Sequence, residues 1–418
     1  MEIFKKIFFR LKNDGFKITV NHYISNIKNR IYSTLTKIIK YLPLRKVIVF
    51  ECESDMDDNP RAIYEYMLKE KKYRKYRFVW IVKNLEFCQK HYKDKRTVFI
   101  SRFNESKKNK LLFDYYLSVA KYFLFSHPYW FKKRHNKQII INTTHGTPFK
   151  SFEEVLINQP RSFDFALCSS DYTKQWFLKF LNCPLERSFV CPHPRIDLLN
   201  VKNKQEILSQ FVKYNPSNKY VICMPTFKQS SRVIDCNTVD EYSLSIIKTD
   251  DEFQNLNTFL KENNIHLIVK LHPLQVTEHL KTDNSTNIHY IQNKELFEKK
   301  IHLYNLIGCC DALLTDFSSV FFDYILLNKP IAFFTNFFDQ YNRGYIMNNP
   351  KDYLCGEQIN NFDDMLHFLT NIANNNDDFF EKRNHINELV NNPPPANCCE
   401  TFVKIMFKLK NFKDGENK

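Results

Sequence analysis

Glycine is scarce in this sequence, and its scarcity limits the kinds of phosphate site that the chain can build. Only six glycines occur among 418 residues. None of them is spaced as GxGxxG, GxxxxGKS or GxxxxGKT, the loops that hold dinucleotides and nucleoside triphosphates. Rossmann-type dinucleotide binding and Walker-type nucleotide hydrolysis are therefore disfavoured. A bound phosphate would have to be held by side chains and by helix N-termini.

Paired cysteine motifs are also missing. The twelve cysteines stand singly or as the adjacent pairs Cys309–Cys310 and Cys398–Cys399. No CxxC occurs, and no His and Cys spacing is typical of a zinc site. The pattern predicts reduced thiols in the cytoplasm. No secretory signal peptide is expected, because Lys5, Lys6 and Arg10 interrupt the apolar residues at the N-terminus.

Long apolar runs are absent as well, so no membrane-spanning helix is expected. The net charge of +15 is concentrated in residues 1–46, which hold eleven Lys and Arg against two acidic residues. Residues 1–44 are interpreted as basic amphipathic helices on an anionic membrane surface, and ordinary packing helices with solvated lysines are the alternative. Two apolar stripes repeat there at helical spacing: Ile3, Phe4, Ile7, Phe8 and Leu11, then Val20, Tyr23, Ile24, Ile27, Ile31, Leu35, Ile38, Ile39 and Leu42.

From Arg45 onward, short β-rich apolar runs alternate with helix-length segments, which predicts parallel sheets with helices on both faces. We expect an α/β fold with two doubly wound domains, residues 45–205 and 206–395, and a cleft between them. Residues 396–418 are expected to form a last helix, packed on the N-terminal domain, and a polar tail. The predicted strands are Val47–Glu51, Phe78–Val82, Val98–Ser101, Tyr122–Ser126, Gln138–Asn142, Phe165–Cys168, Phe189–Cys191, Tyr220–Met224, His266–Leu271, Ile288–Ile291, Ala312–Thr315 and Pro330–Phe334.

Two histidines follow predicted strands, where ligands bind in open α/β sheets. His145 lies in the turn Asn142–Pro148, in which Gly146 provides backbone freedom. An imidazole at that position can accept a proton near neutral pH, although a turn histidine bonded to backbone is the alternative. Lys270 and His272 alternate at another strand end. Their cationic groups suit a pyrophosphate, unless both point into water.

Hydroxyl-bearing residues mark two further strand ends. The Thr315–Ser319 cluster precedes an apolar run, and Asp316 or Ser318 is expected to cap the helix there. Two hydroxyls at a helix N-terminus would cradle a phosphate without glycine, although plain capping explains part of the cluster. Thr226 and Lys228 end the strand that opens the second domain. They are expected either to contact a phosphate or to shape the hinge.

In their order along the chain, these segments resemble motifs of the CDP-glycerol glycerophosphotransferase family, which includes primases and polymerases of wall teichoic acid. Each segment is unspecific alone, whereas eight in the same order are specific. Thr144, His193 and Phe317 depart from the family pattern, and substitution of His193 is expected to matter less than substitution of His145. The matching segments are Asp57–Tyr64, Phe78–Trp80, His145–Pro148, Pro194–Asp197, Pro225–Lys228, Leu271–Pro273, Thr315–Ser319 with Asp323, and Tyr341–Tyr345.

The resemblance implies two Rossmann-like domains of the glycosyltransferase-B type, with the acceptor on the N-terminal domain and the CDP-linked donor on the C-terminal one. It implies that His145 and His272 are the catalytic histidines, and our hypothesis for the mechanism assigns His145 as the general base toward the acceptor hydroxyl. No metal site is expected and no cofactor is required, although Mg²⁺ could accompany the diphosphate. The implied donor-binding residues are Lys270, Asp316, Ser318, Ser319, Thr226, Lys228 and Arg195, and the acceptor-side residues are Asp58, Asn59 and Thr147.

The sequence therefore predicts a peripheral enzyme on the cytoplasmic side of the cell membrane. It would transfer glycerol phosphate, or a related polyol phosphate, from CDP-glycerol or another CDP-polyol to a hydroxyl of a lipid-linked or polymeric acceptor. CMP would be released, in teichoic-acid or capsule synthesis. Two alternatives stay open: a glycosyltransferase that uses a nucleotide sugar, and a non-catalytic membrane-associated assembly protein of the envelope. Nucleic-acid binding is not expected, because the charge is terminal and no nucleic-acid module is visible.

Overall fold

A computed structural model gives the fold of the chain, and it covers most of the sequence from residue 41 onward. The residues that it describes are 16, 20, 24, 27, 31–32, 34–35, 37–39, 41–104, 106–127, 131–151, 162–225, 242, 244–271, 287–316, 318–336, 338, 344–392 and 394–410.

The first sheet has seven parallel strands in the order β3-β2-β1-β4-β5-β6-β7. The strand order reverses direction between β1 and β4. A crevice opens at such a point, outside the carboxyl ends of the strands. The strands are β1 (Arg45–Glu51), β2 (Arg77–Ile81), β3 (Thr97–Ile100), β4 (Ala120–Phe125), β5 (Ile139–Asn142), β6 (Phe165–Cys168) and β7 (Ser188–Val190).

The second sheet has six parallel strands in the order β10-β9-β8-β11-β12-β13. Its direction reverses between β8 and β11, where Met224 pairs with Thr315. The carboxyl ends of these two central strands therefore lie at the same level. The strands are β8 (Lys219–Met224), β9 (Ile265–Lys270), β10 (Ile288–Ile291), β11 (Ala312–Thr315), β12 (Ile331–Phe334) and β13 (Glu357–Ile359).

Helices pack on both faces of each sheet, which explains why the strands are apolar at consecutive positions. In β8, Tyr220 and Ile222 enter one hydrophobic core, and Val221 and Cys223 enter another. The helices are α1 (Asp58–Lys69), α2 (Leu85–His91), α3 (Lys107–Val119), α4 (Lys174–Leu181), α5 (Lys204–Leu208), α6 (Asp250–Glu262), α7 (Asn293–Glu298), α8 (Leu303–Cys309), α9 (Phe321–Tyr324), α10 (Phe362–Asn374), α11 (Phe380–Val390) and α12 (Cys398–Lys408).

The last helix, α12, belongs to the core of the first sheet. Phe402, Val403 and Met406 are buried in the cluster that contains the apolar side chains of β1 and β2. The helix is capped from a distant position, because both carboxylate oxygens of Asp197 accept hydrogen bonds from its first backbone amides, at 2.8 and 2.9 Å. The predicted return of this helix to the N-terminal half is confirmed.

The two halves of the chain are joined by apolar contact as well as by the connecting chain. Phe149, which follows β5, lies 5.3 Å from the ring of Phe321 and 5.3 Å from that of Tyr345. The backbone of this segment also bonds to the second half, since Ile346 N donates to Phe149 O at 3.0 Å. The loop after β5 is therefore held between the two sheets.

All twelve predicted strands are present, with ends displaced by at most two residues. The pattern does not predict β13, because this short edge strand buries only Ile359 fully. The exact domain boundaries stay a prediction. The eleven cysteines within the described residues are buried free thiols.

The described residues between 16 and 39 are helical. Ile39 is buried, whereas other apolar side chains of this segment form an exposed stripe. Among the described residues, no helix is both long and apolar enough to cross a bilayer. The placement of residues 1–44 on a membrane surface stays a prediction. The stripe consists of seven apolar side chains that are 37–74% exposed: Phe16, Val20, Ile24, Ile27, Ile31, Leu35 and Ile38.

We expect Asp197→Ala to loosen α12, because it removes the carboxylate that caps both first amides. Loss of a helix cap costs about 1–2 kcal/mol. Amide hydrogen exchange in Cys398–Lys408 should therefore accelerate by roughly 5-fold to 30-fold. The matched control is Asp363→Ala, an exposed residue in the first turn of α10. Equal exchange of α12 in the two variants would show that Asp197 does not hold this helix.

Candidate active site

The turn after β5 carries His145 to the boundary between the two sheets. Its backbone is unusual at two positions, because Thr144 has φ 54° and Gly146 has φ 143°. A Cβ atom on Gly146 would lie 2.9 Å from Ser319 Oγ and 3.0 Å from Arg195 Nη2. Only glycine permits both this conformation and this approach. The His145 turn is therefore in contact with the Ser319 loop of the second sheet.

The side chain of His145 is exposed, and its ring orientation is set by two neighbours. Nδ1 lies 3.3 Å from the backbone oxygen of Ser126, which can only accept a hydrogen bond. The ring also stacks on His127, with the centroids 4.6 Å apart. Because Nδ1 carries the proton in this arrangement, Nε2 is left with a free lone pair.

The surroundings of His145 favour its neutral form. The surrounding protein keeps water away from much of the imidazole, and this desolvation and then the neighbouring His127 lower the pKa of His145. The pKa of His127 is also lowered, chiefly by burial. His145 therefore stays unprotonated at neutral pH and below its ordinary pKa of about 6.5.

Arg195 lies beside this turn in the interior of the protein. Nη1 donates to Asp58 Oδ1 at 2.6 Å, and Nη2 donates to Asp323 Oδ2 at 2.8 Å. The guanidinium also lies 4.5 Å from the ring centroid of Tyr304. Burial opposes ionisation of both carboxyl groups, but Arg195 lowers the pKa of each of them below its ordinary value.

Asp323 collects donors from several segments. His193 Nδ1 lies 3.4 Å from Asp323 Oδ1, and the hydroxyl of Tyr304 donates to Oδ2. The other ring nitrogen of His193 lies 3.1 Å from Thr144 Oγ1, directly before His145. Asp323, in α9 of the second half, is thus connected to the His145 turn through one buried imidazole.

Asn59 joins the same segments by its amide group. Its Nδ2 donates to the backbone oxygens of Thr143 and Thr144 at 3.0 and 2.9 Å, and its Oδ1 accepts from Arg195 N at 3.1 Å. The residue is completely buried. The predicted acceptor-side role of Asn59 stays a prediction, and its observed contacts fix the turn that presents His145.

The Thr315–Ser319 loop of the second sheet approaches the His145 turn at Gly146. Asp316 is buried, and Ser318 and Ser319 are half-buried. The expected helix cap by Asp316 or Ser318 is wrong, because α9 begins at Phe321 and Val320 occupies its N-cap position. The loop continues for one more turn before the helix begins. Both serine hydroxyls therefore precede the helix instead of capping it.

Lys270 and Thr147 lie deeper than the sequence pattern indicates. Burial lowers the pKa of Lys270 to about 8. Its ammonium group donates to Leu271 O at 2.7 Å and to the side chain of Asn293. Thr147 is buried, with its hydroxyl 3.0 Å from Ser169 Oγ. The predicted roles of both residues in substrate binding stay predictions.

Three of the predicted site residues, Thr226, Lys228 and His272, lie outside the described residues. Within the part of the chain that the structure describes, no group of three or more His, Cys, Asp and Glu side chains is arranged to hold a metal ion. The described part of the site therefore consists of the His145 turn, the buried Arg195 network and the Thr315–Ser319 loop without Phe317.

Sequence reasoning missed two histidines of this region. His127 follows β4 and stacks on His145, while His193 follows β7 and bridges Thr144 to Asp323. Both lie within three residues of a strand end, as His145 does, and this position is the signal that singled out His145. The resemblance to the family did not point to either histidine as a site residue. His193 lies outside the family pattern, and the segment around His127 matches none of the family's motifs.

The family model described as CDP-glycerol:poly(glycerophosphate) glycerophosphotransferase matches residues 34–408. The chain belongs to this family. It is therefore an enzyme of the CDP-glycerol glycerophosphotransferase class, as the ordered motifs predict. The matched range contains both sheets and every described residue of the site.

Curated relatives of this glycerophosphotransferase have teichoic-acid names. A teichoic acid poly(glycerol phosphate) polymerase of Bacillus spizizenii is 26% identical over 337 residues, which are 73% of this chain and 78% of the relative. A teichoic acid glycerol-phosphate transferase of Staphylococcus aureus is 23% identical, over 85% of this chain and 91% of the relative. A Staphylococcus epidermidis polymerase is 28% identical, but the chain spans only 48% of its length.

Solved structures show the same fold. The wall teichoic acid polymerase TagF matches with a TM-score of 0.70 and 20% identity, over 93% of this chain and 96% of that chain. A structure of that polymerase soaked with CDPG matches with a TM-score of 0.71 and 21% identity, over the same shares of the two chains. The two parallel sheets of this glycerophosphotransferase therefore have the TagF-like arrangement of the glycosyltransferase-B type.

We expect acid to weaken the network around Arg195. The pKa of Asp323 is below its ordinary value in the folded state, so this group stabilises the fold fully above the unfolded pKa of about 4 and progressively less below it. The free energy of unfolding of the wild type should therefore fall between about pH 5 and pH 3, by up to about 1.4 kcal/mol per pH unit for this group.

Urea unfolding at several pH values measures this dependence. Asp323→Asn should have a shallower slope than the wild type, because it removes the titrating group. Asp251→Asn, an exposed position in α6, is the matched control and should retain the wild-type slope. Parallel slopes for Asp323→Asn and the wild type would contradict the assignment.

Proposed function

We propose that this enzyme transfers glycerol phosphate from CDP-glycerol to a hydroxyl at the end of a lipid-linked or polymeric acceptor, releasing CMP, in the synthesis of a teichoic-acid-like polymer. The observation that carries the proposal is the contact between the Gly146 turn and Ser319. It puts an exposed, neutral imidazole of the first half beside a hydroxyl-rich loop of the second half. The names of the curated relatives support the polymer class.

The reaction is a displacement at phosphorus. The acceptor oxygen forms a bond to the phosphorus atom that bears glycerol, and the bond from this phosphorus to the CMP oxygen breaks in line. The acceptor hydroxyl loses its proton, and CMP leaves with the electron pair of the broken bond. Such transfer depends on positioning and on stabilisation of the phosphoryl charge.

His145 takes the proton from the acceptor hydroxyl. Its Nδ1–H is held by Ser126 O, so Nε2 can serve as the base. The lowered pKa keeps this nitrogen available across the neutral range, and the His127 ring restricts rotation of the imidazole. Asp58 supports the same geometry indirectly, because it fixes Arg195 beside Gly146.

The second half holds the donor. The hydroxyls of Ser318 and Ser319 precede α9 and are only half-buried, so they can donate hydrogen bonds to the diphosphate. Asp316 can accept a hydrogen bond from a glycerol hydroxyl. His272, Lys270, Thr226 and Lys228 complete this side of the proposed site, and the two lysines would balance the negative charge of the donor.

Arg195 and Asn59 act by position in this proposal. Both terminal nitrogens of Arg195 are engaged with carboxylates, and the Asn59 amide is engaged at both ends. Neither side chain can turn toward a substrate without breaking one of these buried contacts. Their role is to hold the His145 turn against the Ser319 loop.

The N-terminal segment keeps the enzyme at an anionic membrane surface, where a lipid-linked acceptor is anchored. Seven apolar side chains of this segment are exposed at helical spacing. Residues 1–46 also hold nine more Lys and Arg residues than acidic residues. An exposed apolar stripe with a basic face is typical of helices that lie in the plane of a bilayer.

We expect His145→Ala to lower acceptor-dependent CMP release from CDP-glycerol by roughly 10²-fold to 10⁴-fold, because the general base is lost. His385→Ala is the matched control, since His385 is exposed on α11 and remote from the proposed chemistry. CMP release is measured with a glycerophosphate-terminated acceptor. Full turnover by His145→Ala would rule out the proposed base.

We expect the double substitution Ile27→Asp and Ile31→Asp to weaken sedimentation with anionic phospholipid vesicles by roughly tenfold or more, because it puts charge into the apolar stripe. Phe380→Asp is the matched control: Phe380 is 45% exposed, but it lies on α11. If the double variant binds the vesicles as tightly as the wild type does, the stripe does not contact the membrane.

A further inference from the structure

A pocket opens in the first sheet at the point where the strand order reverses. Its lining comes from the carboxyl ends of β1, β2, β3 and β4, so it occupies the crevice that forms between β1 and β4. Apart from His127, its lining residues have no part in the motifs or in the proposed reaction. Its charged lining residues are Glu51, Glu53, Asp55, Lys83 and Arg102, and they are joined by Phe103 and His127.

One wall of the pocket adjoins the proposed general base. His127 lines the pocket and stacks on His145 at 4.6 Å between ring centroids. A molecule that fills the pocket as far as His127 would therefore end within reach of the His145 imidazole. The pocket lies on the first sheet, whereas the Ser318 and Ser319 hydroxyls belong to the second.

The lining combines acceptors and donors of hydrogen bonds. Arg102 Nη1 lies 3.9 Å from Glu51 Oε1, and Lys83 Nζ lies 3.0 Å from Glu53 Oε1. Asp55 is committed to structure, because its carboxylate accepts from the backbone amides of Lys83 and Asn84 at 2.6–3.0 Å. Two ion pairs therefore present both carboxylate oxygens and cationic N–H groups to the pocket.

The charge balance indicates the class of ligand. The lining contains three carboxylates and two cationic side chains, so a phosphate group at its centre would meet more negative than positive charge. A neutral hydroxyl can donate to a carboxylate and accept from Lys or Arg. Phe103, which is 61% exposed and has the Arg102 guanidinium 4.9 Å above its ring, offers an apolar surface to carbon-bound hydrogens.

We propose that this pocket binds the hydroxyl-bearing terminal unit of the acceptor, a polyol or a sugar, and directs one hydroxyl toward His145. The proposal rests on the proposed function, and it adds the site that selects the acceptor. Glu51 and Arg102 bond to hydroxyls of this unit, and Phe103 packs against its carbon skeleton. The phosphate that precedes the terminal unit stays outside the pocket.

The test separates acceptor binding from donor use. Glu51→Gln and Arg102→Met each remove a charged hydrogen-bond partner, so the KM for a soluble glycerol-phosphate oligomer should rise by roughly 10-fold to 100-fold. The KM for CDP-glycerol should stay unchanged. Phe103→Ala should raise the acceptor KM several-fold, and because Phe103 is largely exposed this variant should fold normally. The matched controls are Glu381→Gln and Lys382→Met, two exposed positions on α11.

Calorimetric titration of the same oligomer into the enzyme without donor makes the result independent of turnover. Weaker oligomer binding by Glu51→Gln, Arg102→Met and Phe103→Ala, with normal binding by the controls, supports the site. Normal acceptor KM and normal binding in all three pocket variants would overturn it while leaving the reaction in place. Absence of CMP release by the wild type would instead overturn the proposed function, and the titration would still decide whether the pocket binds the oligomer.

Discussion

The guanidinium of Arg195 lies between two carboxylates from distant parts of the chain, Asp58 at the start of α1 and Asp323 in α9. Removing three charges from water is costly, and the arrangement is favourable only because the charges meet at hydrogen-bond distance. Loss of one partner from a buried pair costs about 3–5 kcal/mol, since an uncompensated charge remains. The same guanidinium lies against Gly146, where a Cβ atom would be only 3.0 Å from Arg195 Nη2. Fold stability and the position of the His145 turn therefore depend on one group.

Most of the fold follows from local patterns. Strands such as Phe165–Cys168 and Ala312–Thr315 are continuous apolar runs because helices cover both of their faces, and such runs are visible without any knowledge of their partners. The edge strand Glu357–Ile359 carries no comparable signal, because only Ile359 needs to be buried. Residue patterns also do not predict that Asp197 caps α12, whose first residue lies 201 positions further along the chain, because that contact exists only after folding.

The site was less predictable than the sheets. The position of His145 at a strand end and the need for glycine after it follow from the sequence of the turn, and the structure agrees with both. The capping role of the Thr315–Ser319 loop was wrongly expected, because propensity locates a hydroxyl near a helix start but does not fix the residue at which the helix begins. The contacts of His193 with Thr144 and Asp323, which lie 49 and 130 positions away, could not be predicted because they exist only after folding.

The helix α12 supplies part of the first hydrophobic core from the far end of the chain. During synthesis, the ribosome releases the whole second sheet before Phe402, Val403 and Met406 emerge. Until then, these side chains do not cover the apolar face of β1 and β2. Nascent chains aggregate or bind chaperones through exposed apolar surfaces of this kind. The two sheets cannot mature one after the other as independent pieces. The first sheet is synthesised first, but its hydrophobic core is completed last. The two halves therefore reach their native packing together.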